Sequence, residues 1–91
     1  MKVELSHEAE ADLDSIYATL AERSQETAAR VVSDLIARMG QLERFPRSGP
    51  IVPQRETLRV REIVESPYRI LYAVGTSTIV VLGIVHGARR V

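Results

Sequence analysis

The stretch LRVREIVESPYRILYAVGTSTIVVLGIVHG, residues 58–87, decides the fold. It contains three runs of strand character separated by two short breaks. LRVREIVE (58–65) alternates, with Leu58, Val60 and Val64 on one face and Arg59 and Arg61 on the other. YRILYAV (68–74) sets Tyr68, Ile70, Tyr72 and Val74 against Arg69, Leu71 and Ala73. TIVVLGIVHG (78–87) is apolar through its middle, the pattern of a strand covered on both faces. The breaks SP and GTS are short enough for hairpins, which predicts an antiparallel meander. Arg59, Arg61 and Arg69 then fall on related faces of adjacent strands, and His86, Arg89 and Arg90 arrive at the end of the last one. A solvated sheet face whose arginines guard it against edge-to-edge association gives the same pattern.

Upstream, PRSGPIVP (46–53) holds three of the four prolines and one of the five glycines, an irregular connection. Before it the apolar period changes from two to 3.6. Ser6 is placed to cap a helix that carries Ala9, Leu13, Ile16, Tyr17 and Leu20 on one side. Glu8, Glu10, Asp12 and Asp14 crowd its first two turns, where negative charge meets the positive end of the helix dipole, so the cluster needs no catalytic explanation. ERSQET breaks this helix and starts a second, capped by Ser24. Its stripe is Ala28, Val31, Val32, Leu35, Ile36, Met39 and Leu42, and it ends before Pro46. Gly40 costs the second helix about 1 kcal/mol relative to alanine, so its last turn is expected to fray or bend. A short link between amphipathic helices makes an antiparallel hairpin. KVEL (2–5) alternates and reads as a first strand. The order β-α-α-β-β-β describes an α+β domain spanning residues 1–91, with a helix hairpin packed on an antiparallel sheet.

Composition limits what such a domain can be. Ninety-one residues make one domain with a thin core, burying about 60 to 65% of the unfolded chain's surface. Without cysteine there is no disulfide and no thiolate metal site. The acidic opening is unlike a signal peptide, and no apolar run reaches the roughly 20 residues that span a bilayer. The expectation is a soluble, cytoplasmic protein with no membrane partner. The net charge of zero hides a division: residues 1–43 carry four basic and nine acidic side chains, residues 44–91 eight basic and three acidic. Eleven of the twelve basic residues are arginine, whose planar fork suits carboxylate and phosphate. A GC-rich genome accounts equally well for the arginine content, but not for the segregation.

Three pieces of the chain carry a family resemblance: RFPRSGP after the helix hairpin, LRVREIVESPYRILYAV across the strand hairpin, and IVVLGIVHGARRV at the end. Together with the element order they resemble the RelE/ParE superfamily of bacterial toxins, closer to the ParE-like branch, and the resemblance covers essentially the whole chain. It implies one of two activities. RelE-like toxins are ribosome-dependent endoribonucleases that cut mRNA; ParE-like toxins are similar to inhibitors of DNA gyrase that act by protein contact.

For the nuclease, the resemblance points to Arg69 and Arg89, with His86 as general base because histidine titrates near neutrality. Such enzymes add second-strand lysines and a C-terminal tyrosine. Here Arg59 and Arg61 stand in place of the former, and no tyrosine follows Tyr72. Arg69 can also serve structurally, by pairing with a carboxylate such as Glu62. The ending therefore reads as a cationic binding edge, with no catalytic residue assigned and Arg59, Arg61, Arg89 and Arg90 as target-binding residues. Arginine is common at energetic hot spots of interfaces.

The same resemblance implies a cognate antitoxin whose flexible segment wraps the toxin, along the helix hairpin or the basic sheet face. DNA gyrase is the expected target, with the ribosome and mRNA as the alternative and a toxin-fold protein without toxic activity as a further one. Operator DNA would be bound only through the antitoxin, since zero net charge gives little non-specific attraction to DNA. No phosphate-binding loop, metal-ligand spacing or Ser/His/Asp arrangement is present, so no cofactor and no metal are implied.

Overall fold

Serine hydroxyls start both helices. Ser6 accepts the Ala9 N–H and opens α1 (His7–Ala21), and Ser24 accepts the Thr27 N–H and opens α2 (Gln25–Gly40), each at 3.1 Å. In the computed structural model, which describes residues 1–87 excepting the side chains of residues 54–56, these helices sit between strand β1 (Lys2–Leu5) and three further strands. The strands are β2 (Arg61–Glu65), β3 (Tyr68–Val74) and β4 (Thr78–His86). They form one sheet in the order β1-β4-β3-β2. β2, β3 and β4 make the expected antiparallel meander. β1 lies parallel to β4, Leu5 beside Val81, so the sheet as a whole is mixed.

Both helices pack on one face of the sheet. Ala9 of α1 and Leu35 and Met39 of α2 meet Ile70, Tyr72, Ile79 and Val81, all essentially excluded from solvent. The second helix ends at Gly40 and continues as a short 3-10 turn, Gln41–Glu43, that buries Leu42. This is where the sequence places a bend. The apolar stripe of α2 is narrower than predicted, because Ile36 is 53% exposed while its neighbour Leu35 is fully buried.

Residues 58–65 depart from the single strand predicted for them. A 3-10 turn runs over Pro53–Leu58, Arg59 has φ +55°, and the ladder begins only at Arg61. The left-handed residue breaks the alternation. Leu58 and Val64, expected inside with Val60, are 70% and 52% exposed, whereas Ile63 is buried opposite Ile70. The PRSGPIVP connection is also more ordered than irregular. Its last residues run antiparallel to the approach to β2, with Val52 N–H donating to Val60 O at 2.7 Å and Glu62 N–H to Pro50 O at 3.1 Å. Strand β4, expected to be covered on both faces, has both helices on one face only. On the other, Val80 and Leu82 are half-buried and Val85 is 39% exposed.

Candidate functional site

Strand β4 contains a bulge that fixes the geometry of its end. Tyr72 pairs with Val81 and Leu71 with Gly83, so Leu82 is an extra residue with no partner on β3. Unbroken alternation groups His86 and Ile84 with Thr78, Val80 and Leu82. The bulge instead places His86 and Ile84 on the helix side with Ile79 and Val81. His86 stands opposite Tyr68, their rings edge to face with centroids 5.4 Å apart. It is exposed at the strand's end, and beyond it the Gly87 N–H donates to the Pro67 carbonyl.

Arg69 lies on the opposite, open face, between the buried Tyr68 and Ile70 and across from Val85. Its guanidinium donates to the Glu62 carboxylate, the pairing the sequence allows for, and the two side chains are only 20% and 18% exposed. The sheet therefore separates two of the three residues of the nuclease alternative. His86 faces the helices and Arg69 faces away from them. Arg89, the third, lies outside the described residues, as does Arg90.

Arg59 and Arg61 do not share the face of Arg69 as expected. Arg61 pairs with Tyr72 on the helix side, where its Nη1 donates to Gly49 O at 2.7 Å and approaches Arg47 O at 3.5 Å. Tyr72 completes this clamp: its buried hydroxyl accepts the Gly49 N–H at 3.0 Å. Arg59 is exposed, outside the strand. Arg61 stands opposite Tyr72 and His86 opposite Tyr68, four residues apart along β3, or about 13 Å. Arg59 and Arg61 thus form a first group, at the start of β2, and the position of His86 lies apart from it.

Sequence reasoning missed other members of the first group. Arg47, whose carbonyl Arg61 approaches, and Arg44, three residues earlier in the chain, are both exposed, with Arg44 stacked over the 58% exposed ring of Phe45 at 5.6 Å. None of Arg44, Arg47, Arg59 and Arg61 forms an ion pair among the described residues. The clustering of five arginines against one glutamate in residues 44–61 is the signal that could have found them. No cluster of histidine and carboxylate side chains suited to a metal occurs among the described residues, and no described helix is long and apolar enough to cross a membrane.

Comparison with known proteins agrees with this architecture. The solved structure described as the chromosomal ParDE TA system from P. aeruginosa is similar in fold, with a TM-score of 0.80 and 24% identity over 96% of each chain. Among curated proteins nothing matches. The family model described as ParE toxin of type II toxin-antitoxin system, parDE, matches residues 3–91, essentially all of the sheet and both helices. The chain belongs to that family of ParE toxins.

Proposed function

We propose that this protein arrests growth by binding DNA gyrase, without catalysis of its own, and that a cognate antitoxin neutralises it in the cytoplasm. The observation that carries the choice of binding over RNA cleavage is the pairing of Arg69 with Glu62 on the face opposite His86. A ribonuclease must bring a base and a phosphate clamp to the same phosphodiester, within hydrogen-bond reach of the reacting atoms. Here the sheet stands between the two groups.

Arg59 and Arg61, joined by Arg44 and Arg47, and the C-terminal Arg89 and Arg90 are the residues assigned to target contact. Arg61 contributes chiefly by holding the Arg47–Gly49 turn in place. The antitoxin, a flexible acidic segment, suits the same cationic surfaces. Expression without antitoxin tests the reading in cells: gyrase poisoning gives filamentous cells and DNA-damage signalling with mRNA intact. Cleaved mRNA that becomes intact in His86→Ala or Arg89→Ala would replace it with the ribonuclease reading, and unaffected growth with that of an inactive toxin fold.

A further inference from the structure

Beyond Leu5, β1 leaves the sheet, and side chains at the start of α1 take over the groups of β4 that follow. Ser6 Oγ donates to the Leu82 carbonyl at 3.1 Å, and the Asp12 carboxylate accepts the Ile84 N–H at 2.9 Å. These contacts bracket the bulge. Gly83, between them, supplies the space: a Cβ there would stand 3.3 Å from the same Asp12 oxygen. Its φ is not positive, so the glycine answers to the approach of Asp12 rather than to the backbone's own conformation. Glu8, Glu10 and Asp14, its acidic neighbours on the helix, are exposed, whereas Asp12 is half-buried.

The bulge decides which way the strand's end faces. Unbroken alternation would carry the helix-side set Ile79 and Val81 on through Gly83 and Val85, and turn Ile84 and His86 outward. One extra residue reverses every side chain from position 84 onward. A buried N–H without an acceptor is costly, so the carboxylate that meets Ile84 N–H favours the bulged register over the regular one.

We propose that Asp12 is a positioning residue for the C-terminal end: by holding the Ile84 N–H it selects the bulged register, the face on which His86 stands and the direction of the chain at Gly87. Its functional consequence rests on the reading that Arg89 and Arg90, which follow, touch the target. The sequence offers Asp12 only as one member of an acidic helix start; its partner is 72 residues away.

The test uses the full chain with Asp12→Ala, Asp12→Asn and Gly83→Ala. Amide exchange at Ile84 and the nuclear Overhauser contact between the Tyr68 and His86 rings report the register. Asp12→Ala is expected to lower Ile84 protection about tenfold or more and to abolish the ring contact. Asp12→Asn, which retains a side-chain carbonyl acceptor, keeps both. Gly83→Ala, which crowds the carboxylate, reproduces the loss with Asp12 present, and serves if Asp12→Ala does not fold. Unchanged Ile84 protection and an unchanged ring contact in Asp12→Ala or Gly83→Ala overturn the proposal.

The functional arm titrates each variant into gyrase supercoiling. Asp12→Ala is expected to weaken inhibition in the parent chain and to add no loss to the Arg89→Ala/Arg90→Ala double variant. Additive losses overturn the positioning role. If the double variant inhibits as well as the parent, the assignment of Arg89 and Arg90 to the target falls, and the exchange and ring-contact measurements still decide the role of Asp12.

Discussion

The hydroxyl of Tyr72, in the middle of β3, accepts the N–H of Gly49 at 3.0 Å and so ties the proline-rich connection to the centre of the sheet. Both residues are buried. Tyr72→Phe keeps the ring and strands a buried donor, an expected loss of about 1 to 3 kcal/mol. Gly49→Ala acts on the same joint sterically: its Cβ would fall 2.2 Å from the Glu62 carbonyl oxygen, and relieving that clash costs about 1 to 3 kcal/mol. Urea unfolding checks both, as a lowered midpoint with little change in slope.

Arg59 combines exposure with a left-handed backbone. That conformation costs a non-glycine residue roughly 1 to 2 kcal/mol, and glycine's extra freedom in the unfolded chain returns about half of any gain. Arg59→Gly is expected to be more stable than the parent by up to about 1 kcal/mol, and Arg59→Ala close to neutral. Both should inhibit the target less well. Thermal unfolding paired with an inhibition titration separates the two effects; undiminished inhibition in both variants removes Arg59 from the target surface.

Glu62 and Arg69 are expected to couple. A fully buried pair loses about 3 to 5 kcal/mol when one partner is removed, but these side chains retain 18% and 20% exposure, so solvent screening reduces the figure. A double-mutant cycle with Glu62→Ala and Arg69→Ala should give a stability coupling of about 1 to 2 kcal/mol. Coupling near zero would remove the structural role given to Arg69.

Adjacent residues of α2 provide a control for the packing. Leu35→Ala should cost about 2 to 5 kcal/mol, since Leu35 is completely buried. Ile36→Ala, at a residue 53% exposed, should change stability by no more than about 0.5 kcal/mol in either direction. Equal losses at the two positions would mean that the helix presents a different face to the sheet.

What could be read from the sequence was what local chemistry determines. The serine caps, the Lys2–Leu5 strand and the two short breaks between strands each depend on a few neighbouring residues, and each is found where alternation or capping placed it. The Glu62–Arg69 pair was legible for the same reason, since the hairpin brings the two residues together. Two features were not. Arg59 enters the left-handed region although nothing in its side chain calls for it, and this moved the start of β2. At the bulge at Leu82, Asp12 of α1 and its N-cap Ser6 reach across to β4, at separations of 72 and 76 residues. A period-two reading of β4 contains no trace of that contact, so it turned His86 to the wrong set of neighbours.

The most direct measurement is plasmid supercoiling by purified DNA gyrase with ATP, titrated with the antitoxin-free protein, reading both lost supercoiling and linear DNA released by detergent and protease. Dose-dependent loss of supercoiling with accumulation of linear DNA, reversed by the cognate antitoxin, is the result predicted. Unaltered supercoiling by folded, antitoxin-binding protein, together with cleavage of mRNA on translating ribosomes, would contradict it.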